Sequence, residues 1–239
     1  MDNGIVPVMR VALLACALAL CACSQAGGPR PVAAAELQPC GSLERAEDLT
    51  PAECRMEAGG QTLHVTFAQV PSGADGGNVA VDVLGADGRV TQSLLETNVS
   101  EYIIPSVQDI DGDGRADILI PRVTGNVNTE WGVWVNTGSA FRRAGEISGV
   151  EVQRTADGYI AAPARSSCCS WNVRYYTLDE GGLHDLVTVS VEGQEELPNG
   201  RVRSTCTLSE SPGLAALHLD ARAGRDKFCA EHASQVFGE

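Results

Sequence analysis

What most constrains this chain is a succession of short stretches whose hydrophobicity alternates with a period of two. Leu63, Val65 and Phe67 alternate with Thr62, His64 and Thr66. Similar short apolar runs follow at residues 79–84, 89–95, 102–104, 117–120, 131–135, 158–160, 171–178, 186–191 and 202–206. In an extended chain successive side chains point to opposite faces, so each run predicts a strand. Between the runs stand Asp87-Gly88, Thr137-Gly138, Asp157-Gly158, Gly181-Gly182 and Asn199-Gly200. Such dipeptides supply the positive φ that tight hairpins need. Many short strands joined by tight turns predict an all-β fold. Its form would be an antiparallel meander or β-sandwich, or an incomplete propeller. Residues 61–209, which carry the runs, are too few for seven propeller blades of about 40–50 residues each.

Helical character is expected in two places. A short helical turn is expected after Thr50-Pro51. A C-terminal helix is expected over 221–236, with Phe228, Cys229, His232 and Val236 on one side. That helix should pack back on the sheet, pinned through Cys229.

The N-terminus reads as an address. Arg10 precedes an apolar run from Val11 to Ala22. The run is shorter than the about 20 residues that span a bilayer, and it has the length of a signal-peptide core. Leu20-Cys21-Ala22-Cys23-Ser24 then resembles a bacterial lipobox. This assigns residues 1–22 to a lipoprotein signal peptide, with an ordinary cleaved signal as the alternative. Cys23 becomes the lipidated residue. The resemblance places the mature protein at the outer membrane, because Ser24 rather than Asp follows the lipid cysteine. Residues 23–38 are small and rich in Pro and Gly, as a flexible tether would be. Residues 39–237 form the single folded domain of this reading.

Three of the nine cysteines lie in the leader, and six follow: Cys40, Cys54, Cys168, Cys169, Cys206 and Cys229. An even number in an exported chain predicts disulfides. Cys40–Cys54 is the expected local pair. Adjacent cysteines bond to each other with strain, so Cys168 and Cys169 are each expected to take one of Cys206 and Cys229. Zinc is disfavoured, because there is no Cys-x-x-Cys and the four histidines are scattered.

Seventeen basic against thirty-one acidic residues give a net charge of −14. That balance argues against nucleic acid, whose binding needs a basic face. It suits a cationic partner or cation sites, although solubility alone would also explain it.

The densest acidic stretch is Asp109-Ile-Asp-Gly-Asp-Gly-Arg-Ala-Asp117. Asp109, Asp111, Asp113 and Asp117 occupy positions 1, 3, 5 and 9 of a loop. Calcium takes six to eight oxygens at about 2.3–2.6 Å, and alternate residues of a tightly wound loop point inward. Gly114 stands where such a loop turns sharply, and Arg115 would contribute its backbone carbonyl. The expected cofactor is therefore Ca2+, held by Asp109, Asp111, Asp113, Arg115 and Asp117. Magnesium demands a tighter octahedron and fits less well. Position 12 is Ile120 rather than Glu, so the loop is not an EF-hand.

The pattern D-x-D-x-D-G-x-x-D before an apolar strand resembles the cation loop of FG-GAP (VCBS-like) blades. A longer match joins Gly88-Arg-Val-Thr-Gln92, the acidic loop, Trp131-Gly-Val-Trp-Val-Asn136 and Thr137-Gly-Ser-Ala-Phe141. This order resembles a family of periplasmic lipoproteins with one such calcium loop. The family includes immunity proteins against a peptidoglycan hydrolase delivered by type IV secretion. The resemblance implies a fold like that of periplasmic lysozyme inhibitors and a non-catalytic role in blocking a hydrolase. A cationic hydrolase would suit the acidic chain, since opposite fields speed capture. The alternative is an envelope adhesion module that binds glycan or protein without inhibiting anything. Loops 124–130 and 72–77 are polar enough to engage a partner, and equally fit ordinary surface loops.

The sequence holds no Gly-x-Ser-x-Gly, His-Glu-x-x-His or phosphate loop. Its clustered carboxylates are accounted for by the cation. Trp131 and Trp134 could stack on sugars, but on a strand they face opposite sides, so at least one is expected in the core. The expectation is a protein that is not an enzyme.

Overall fold

The computed structural model describes residues 36–42, 52–68, 76–100, 103–196 and 202–237. The chain divides into two units, Met1–Arg30 and Pro31–Glu239. The first lies outside the described residues, and with it the expected signal peptide and Cys23. Among the described residues no helix is long and apolar enough to cross a membrane.

The second unit is all-β, built as three antiparallel sheets in chain order. The first holds β1 (Ala52–Ala58), β2 (Gln61–Ala68), β3 (Gly77–Leu84) and β4 (Val90–Val99). The second holds β5 (Ser106–Gln108), β6 (Asp117–Thr124), β7 (Thr129–Asn136) and β8 (Phe141–Gly149). The third holds β9 (Gln153–Arg154), β10 (Ile160–Arg165), β11 (Ser170–Asp179), β12 (Gly182–Glu196) and β13 (Val202–Glu210). Each sheet is a meander, with every strand paired to its neighbour in sequence. A single helix, α1 (Ala221–Phe237), ends the described chain. Gly88, Gly138, Gly158 and Gly182 all have positive φ, as the turn dipeptides require.

The sheets pack face to face, with the second in the middle. Its strand β6 is buried at five consecutive positions from Asp117 to Pro121. A strand covered on both faces reads as a continuous apolar run instead of an alternation. Ile118 and Ile120 point one way, into a core with Leu63, Val65, Phe67 and Val81 of the first sheet. Leu119 points the other way, into a core with Val133, Ile147, Ile160 and Tyr176. A third core lies between the third sheet and α1. There Phe228, fully buried, packs against Tyr175 and Tyr159 at ring-centroid distances of 4.8 and 5.7 Å. Asp220 caps α1 by accepting the Ala223 N–H at 2.8 Å.

Two expectations are corrected. The helical turn after Thr50-Pro51 gives way to a strand at Ala52–Ala58. Ala, Glu, Met and Arg favour helix, but Cys54, Met56 and Ala58 fall on one face, and β1 pairs with β2 along its whole length. The expected bridges from Cys168 and Cys169 do not form. Cys206 on β13 faces Cys229 on α1 with Cα atoms 5.7 Å apart, and these two bond to each other. Cys168 and Cys169 are free and exposed in the turn between β10 and β11. His64 belongs to the polar face of β2 yet is 8% exposed, covered by Glu53 and Asp82 on the flanking strands. The Cys40–Cys54 pair is bonded as expected. Cys229 does pin α1, through Cys206.

Candidate metal centre

The acidic loop connects β5 to β6 and is wound by its own carboxylates. Asp109 Oδ1 accepts the N–H groups of Gly112 at 2.6 Å and Asp113 at 3.1 Å, and its Oδ2 accepts that of Gly114 at 2.9 Å. Gly112 and Gly114 make the required turns at φ 76° and 84°. A side chain at Gly112 would also collide with the Arg154 guanidinium. Asp111 Oδ1 accepts the Asp113 N–H at 3.1 Å.

Asp117 opens β6 and is fully buried. Its Oδ2 accepts the Ile110 N–H at 3.0 Å, and its Oδ1 accepts the Asn136 N–H at 2.8 Å. The carboxylate thus ties the loop's entry to the end of β7. Ile110, 2% exposed, anchors the loop in the core between the second and third sheets.

Of the four expected carboxylate ligands, three come together. Asp109, Asp111 and Asp117 each offer a carboxylate oxygen within 4.8 Å of the others. Asp113 is drawn aside: it accepts the Arg115 N–H at 2.8 Å and pairs with the Arg115 guanidinium. Arg115 also reaches over to donate from Nε to the Asn136 carbonyl at 2.8 Å. Sequence spacing placed Asp113 correctly in the loop but could not reveal that a cation two residues later would claim it.

Burial and mutual repulsion act against backbone donors in setting the acidity of the three carboxyls. Burial pushes the Asp117 carboxyl up to about 6, against the pull of its two backbone donors, with the Asp111 and Asp113 charges adding to the rise. Asp111 is raised as well, first by burial and then by repulsion from Asp113 and Asp109. Burial raises Asp109 too, but the three backbone donors outweigh it and its pKa is lowered. Three carboxylates thus converge, one of them without exposure, and hard cations take oxygen donors of this kind. Asp111, alone of the trio, lines an open cleft of about 320 Å³ with Asp113, Arg115, Asn136, Asp179 and Glu180.

A second polar cluster has no signature in the sequence. Glu96 on β4 is 3% exposed and accepts hydrogen bonds from Arg143 Nε at 2.8 Å, Arg143 Nη2 at 3.1 Å and Trp134 Nε1 at 2.8 Å. Arg122 Nε lies 3.2 Å from the same carboxylate. Trp134 packs on the core of the first two sheets and Trp131 on that of the second and third. Each is partly buried, one on either side of the middle sheet, and Trp131 also lines an open cleft with Gln108 and Val152. The cluster joins two sheets and is structural.

On the outer face of the first sheet, His64, Asp82 and Ser93 follow one another across β2, β3 and β4. Ser93 donates to Asp82, and His64 lies on the far side of that carboxylate. A nucleophilic triad needs the imidazole between hydroxyl and carboxylate, so this row has the wrong order for that chemistry.

Fold and site together define an all-β protein of three stacked meanders with an acidic loop beneath the middle sheet. No protein-family model, curated protein or solved structure matches the chain.

Proposed function

We propose that this chain is a non-catalytic, calcium-braced lipoprotein of the bacterial envelope that binds and blocks a cationic peptidoglycan hydrolase. The observation that carries the calcium reading is the convergence of Asp109, Asp111 and buried Asp117 within 4.8 Å. A cation there neutralises three carboxylates and locks the loop against β6 and β7. The role is structural, because Asp109 and Asp117 already use their oxygens to hold backbone amides. The envelope setting rests on the lipobox-like Leu20–Cys23 and agrees with two disulfides in the folded unit. The hydrolase as partner rests on the family resemblance and on the charge of −14.

Two measurements test this. Calcium should raise the melting temperature of the chelator-treated protein, and an unchanged melt would overturn the metal reading. The protein should then be used to capture envelope partners, and the captured hydrolase assayed for lysis of peptidoglycan. Loss of lysis at equimolar protein is the expected result. Capture without inhibition would instead favour the adhesion module.

A further inference from the structure

Cys168 and Cys169 are the unpaired thiols of the described residues, and their sulfurs lie 2.8 Å apart. That separation exceeds a formed disulfide, about 2.05 Å, by less than 1 Å. Both side chains are exposed, so a reagent in solution reaches them.

The turn that carries them is held at every carbonyl near the pair. Arg165 donates from Nε to the Ser167 carbonyl at 2.9 Å and from Nη2 to the Cys168 carbonyl at 3.3 Å. The Cys169 carbonyl accepts the Gly193 N–H at 2.7 Å. Arg165 is fixed in turn by Asn128, which exchanges two hydrogen bonds with its backbone at 2.8 and 2.9 Å. The Arg165 guanidinium also sits 5.9 Å from the Trp171 ring centroid. The two thiols are thus presented together by a braced backbone. The hydrogen bond with Cys168 raises the Cys169 thiol above its ordinary range, as happens when two sulfurs share a proton.

We propose that Cys168 and Cys169 form a vicinal redox site, oxidised by an external disulfide to a ring within the β10–β11 turn. One thiolate attacks the external disulfide, forms a mixed disulfide and releases the first thiolate of the reagent. The second cysteine, deprotonated, attacks the protein sulfur of that adduct, closes the Cys168–Cys169 bond and expels the second thiolate. Two protein thiols are oxidised, one external disulfide is reduced to two thiols, and two protons move to those thiols. Adjacent residues hold their Cα atoms about 3.8 Å apart, below the about 4.4–6.8 Å that disulfides prefer. The ring is therefore easily reduced, as labile regulatory disulfides are, whereas Cys40–Cys54 and Cys206–Cys229 span favourable distances of 4.9 and 5.7 Å. Cys168 also lines an open cleft of about 470 Å³ with Val127, Asn128 and Arg165, so closing the ring removes a thiol from its wall.

The test uses the full chain and glutathione disulfide as the probe, in a series of glutathione redox buffers. Free thiols are alkylated, and the adducts are mapped on peptides and weighed on the intact protein. The expected product loses the mass of two hydrogens, with Cys168 and Cys169 protected together and released together by reductant. It should outnumber any glutathione adduct at these positions, because the second thiol already lies 2.8 Å from the sulfur it attacks. Cys168→Ser, in an exposed turn, should instead hold one glutathione on Cys169, and Cys169→Ser one on Cys168. The proposal is overturned if the wild-type chain keeps stable glutathione adducts at these positions. It is equally overturned if the two thiols stay alkylatable throughout, or if oxidation joins them to other chains.

Discussion

Asp117 accepts the backbone N–H of Asn136 at 2.8 Å from inside the core, joining the start of β6 to the end of β7. Burial places this carboxyl at about 6 in the metal-free fold, well above the about 3.9 of an unfolded chain. The native state therefore holds its proton more tightly than the unfolded state does. Between pH 4 and 6 the unfolded chain has released that proton and the folded one has not. Stability of the metal-free protein should thus decline as pH rises across this window, by up to about 3 kcal/mol from this group, and level off above it. Calcium competes with the same proton. Its effect on the melting temperature should be full at pH 7.5 and shrink below pH 6. Melts at three pH values with and without calcium check this, and a calcium effect that grows on acidification would refute the role of Asp117.

The three loop aspartates at positions 1, 3 and 5 should respond differently to truncation. Asp111→Ala removes a converging ligand with one short-range backbone contact, so it should abolish the calcium response and barely change the metal-free melt. Asp109→Ala also leaves the Gly112 and Gly114 N–H groups without their acceptor, the Asp113 N–H keeping Asp111, and should lower the melting temperature by a few degrees even in chelator. Asp113→Ala should keep the calcium response, since its carboxylate is held by Arg115. Differential scanning of the three variants separates ligands from loop braces. Equal loss of response in all three would return Asp113 to the ligand set.

How much of this was written in the chain depends on range. The hairpin glycines Gly88, Gly138, Gly158 and Gly182 and the acidic loop are local patterns, and they sit where the sequence places them. The reading of β1 failed because its helix-favouring composition outweighed a true alternation at Cys54, Met56 and Ala58. The carboxylate trio was legible as far as spacing goes, but the diversion of Asp113 depends on an Arg115 rotamer. Cysteine parity suggested that Cys168 and Cys169 reach Cys206 and Cys229. Parity carries no position, and the packing of α1 on β13 brings those last two together instead. Glu96 and Arg143 are 47 residues apart and gave no signal, and neither did the glycine between the two tryptophans that makes room for the carboxylate.

That glycine is Gly132. A Cβ built on it would lie 2.2 Å from Glu96 Oε1, so the absent side chain is what lets the carboxylate enter between the sheets. Gly132→Ala should displace Glu96 from Trp134 and Arg143 at a cost of about 1–3 kcal/mol. Glu96→Ala takes the acceptor from Trp134 Nε1, while Arg122 keeps Glu130 and Glu146 and Arg143 keeps Glu146, so it should cost about 1–3 kcal/mol. Urea denaturation of each variant gives these values. If the cluster acts as argued, the double variant should lose far less than the sum, because both changes remove one interaction.

The Cys206–Cys229 bond closes a loop of 23 residues in sequence and fastens α1 to β13. For a loop of this length the chain-entropy account gives about 3 kcal/mol. Phe228, next to the bond, is fully buried, so the helix has an apolar hold independent of sulfur. Replacing both cysteines by serine should therefore lower the melting temperature by roughly 6–12 °C while α1 stays docked. Adding Phe228→Ala to that variant removes a further about 3–5 kcal/mol and should release the helix, seen as rapid amide exchange over residues 221–230. Exchange that stays slow in the triple variant would mean that some other contact holds α1. Release in the serine variant alone would mean that the disulfide, and not Phe228, keeps the helix on the sheet.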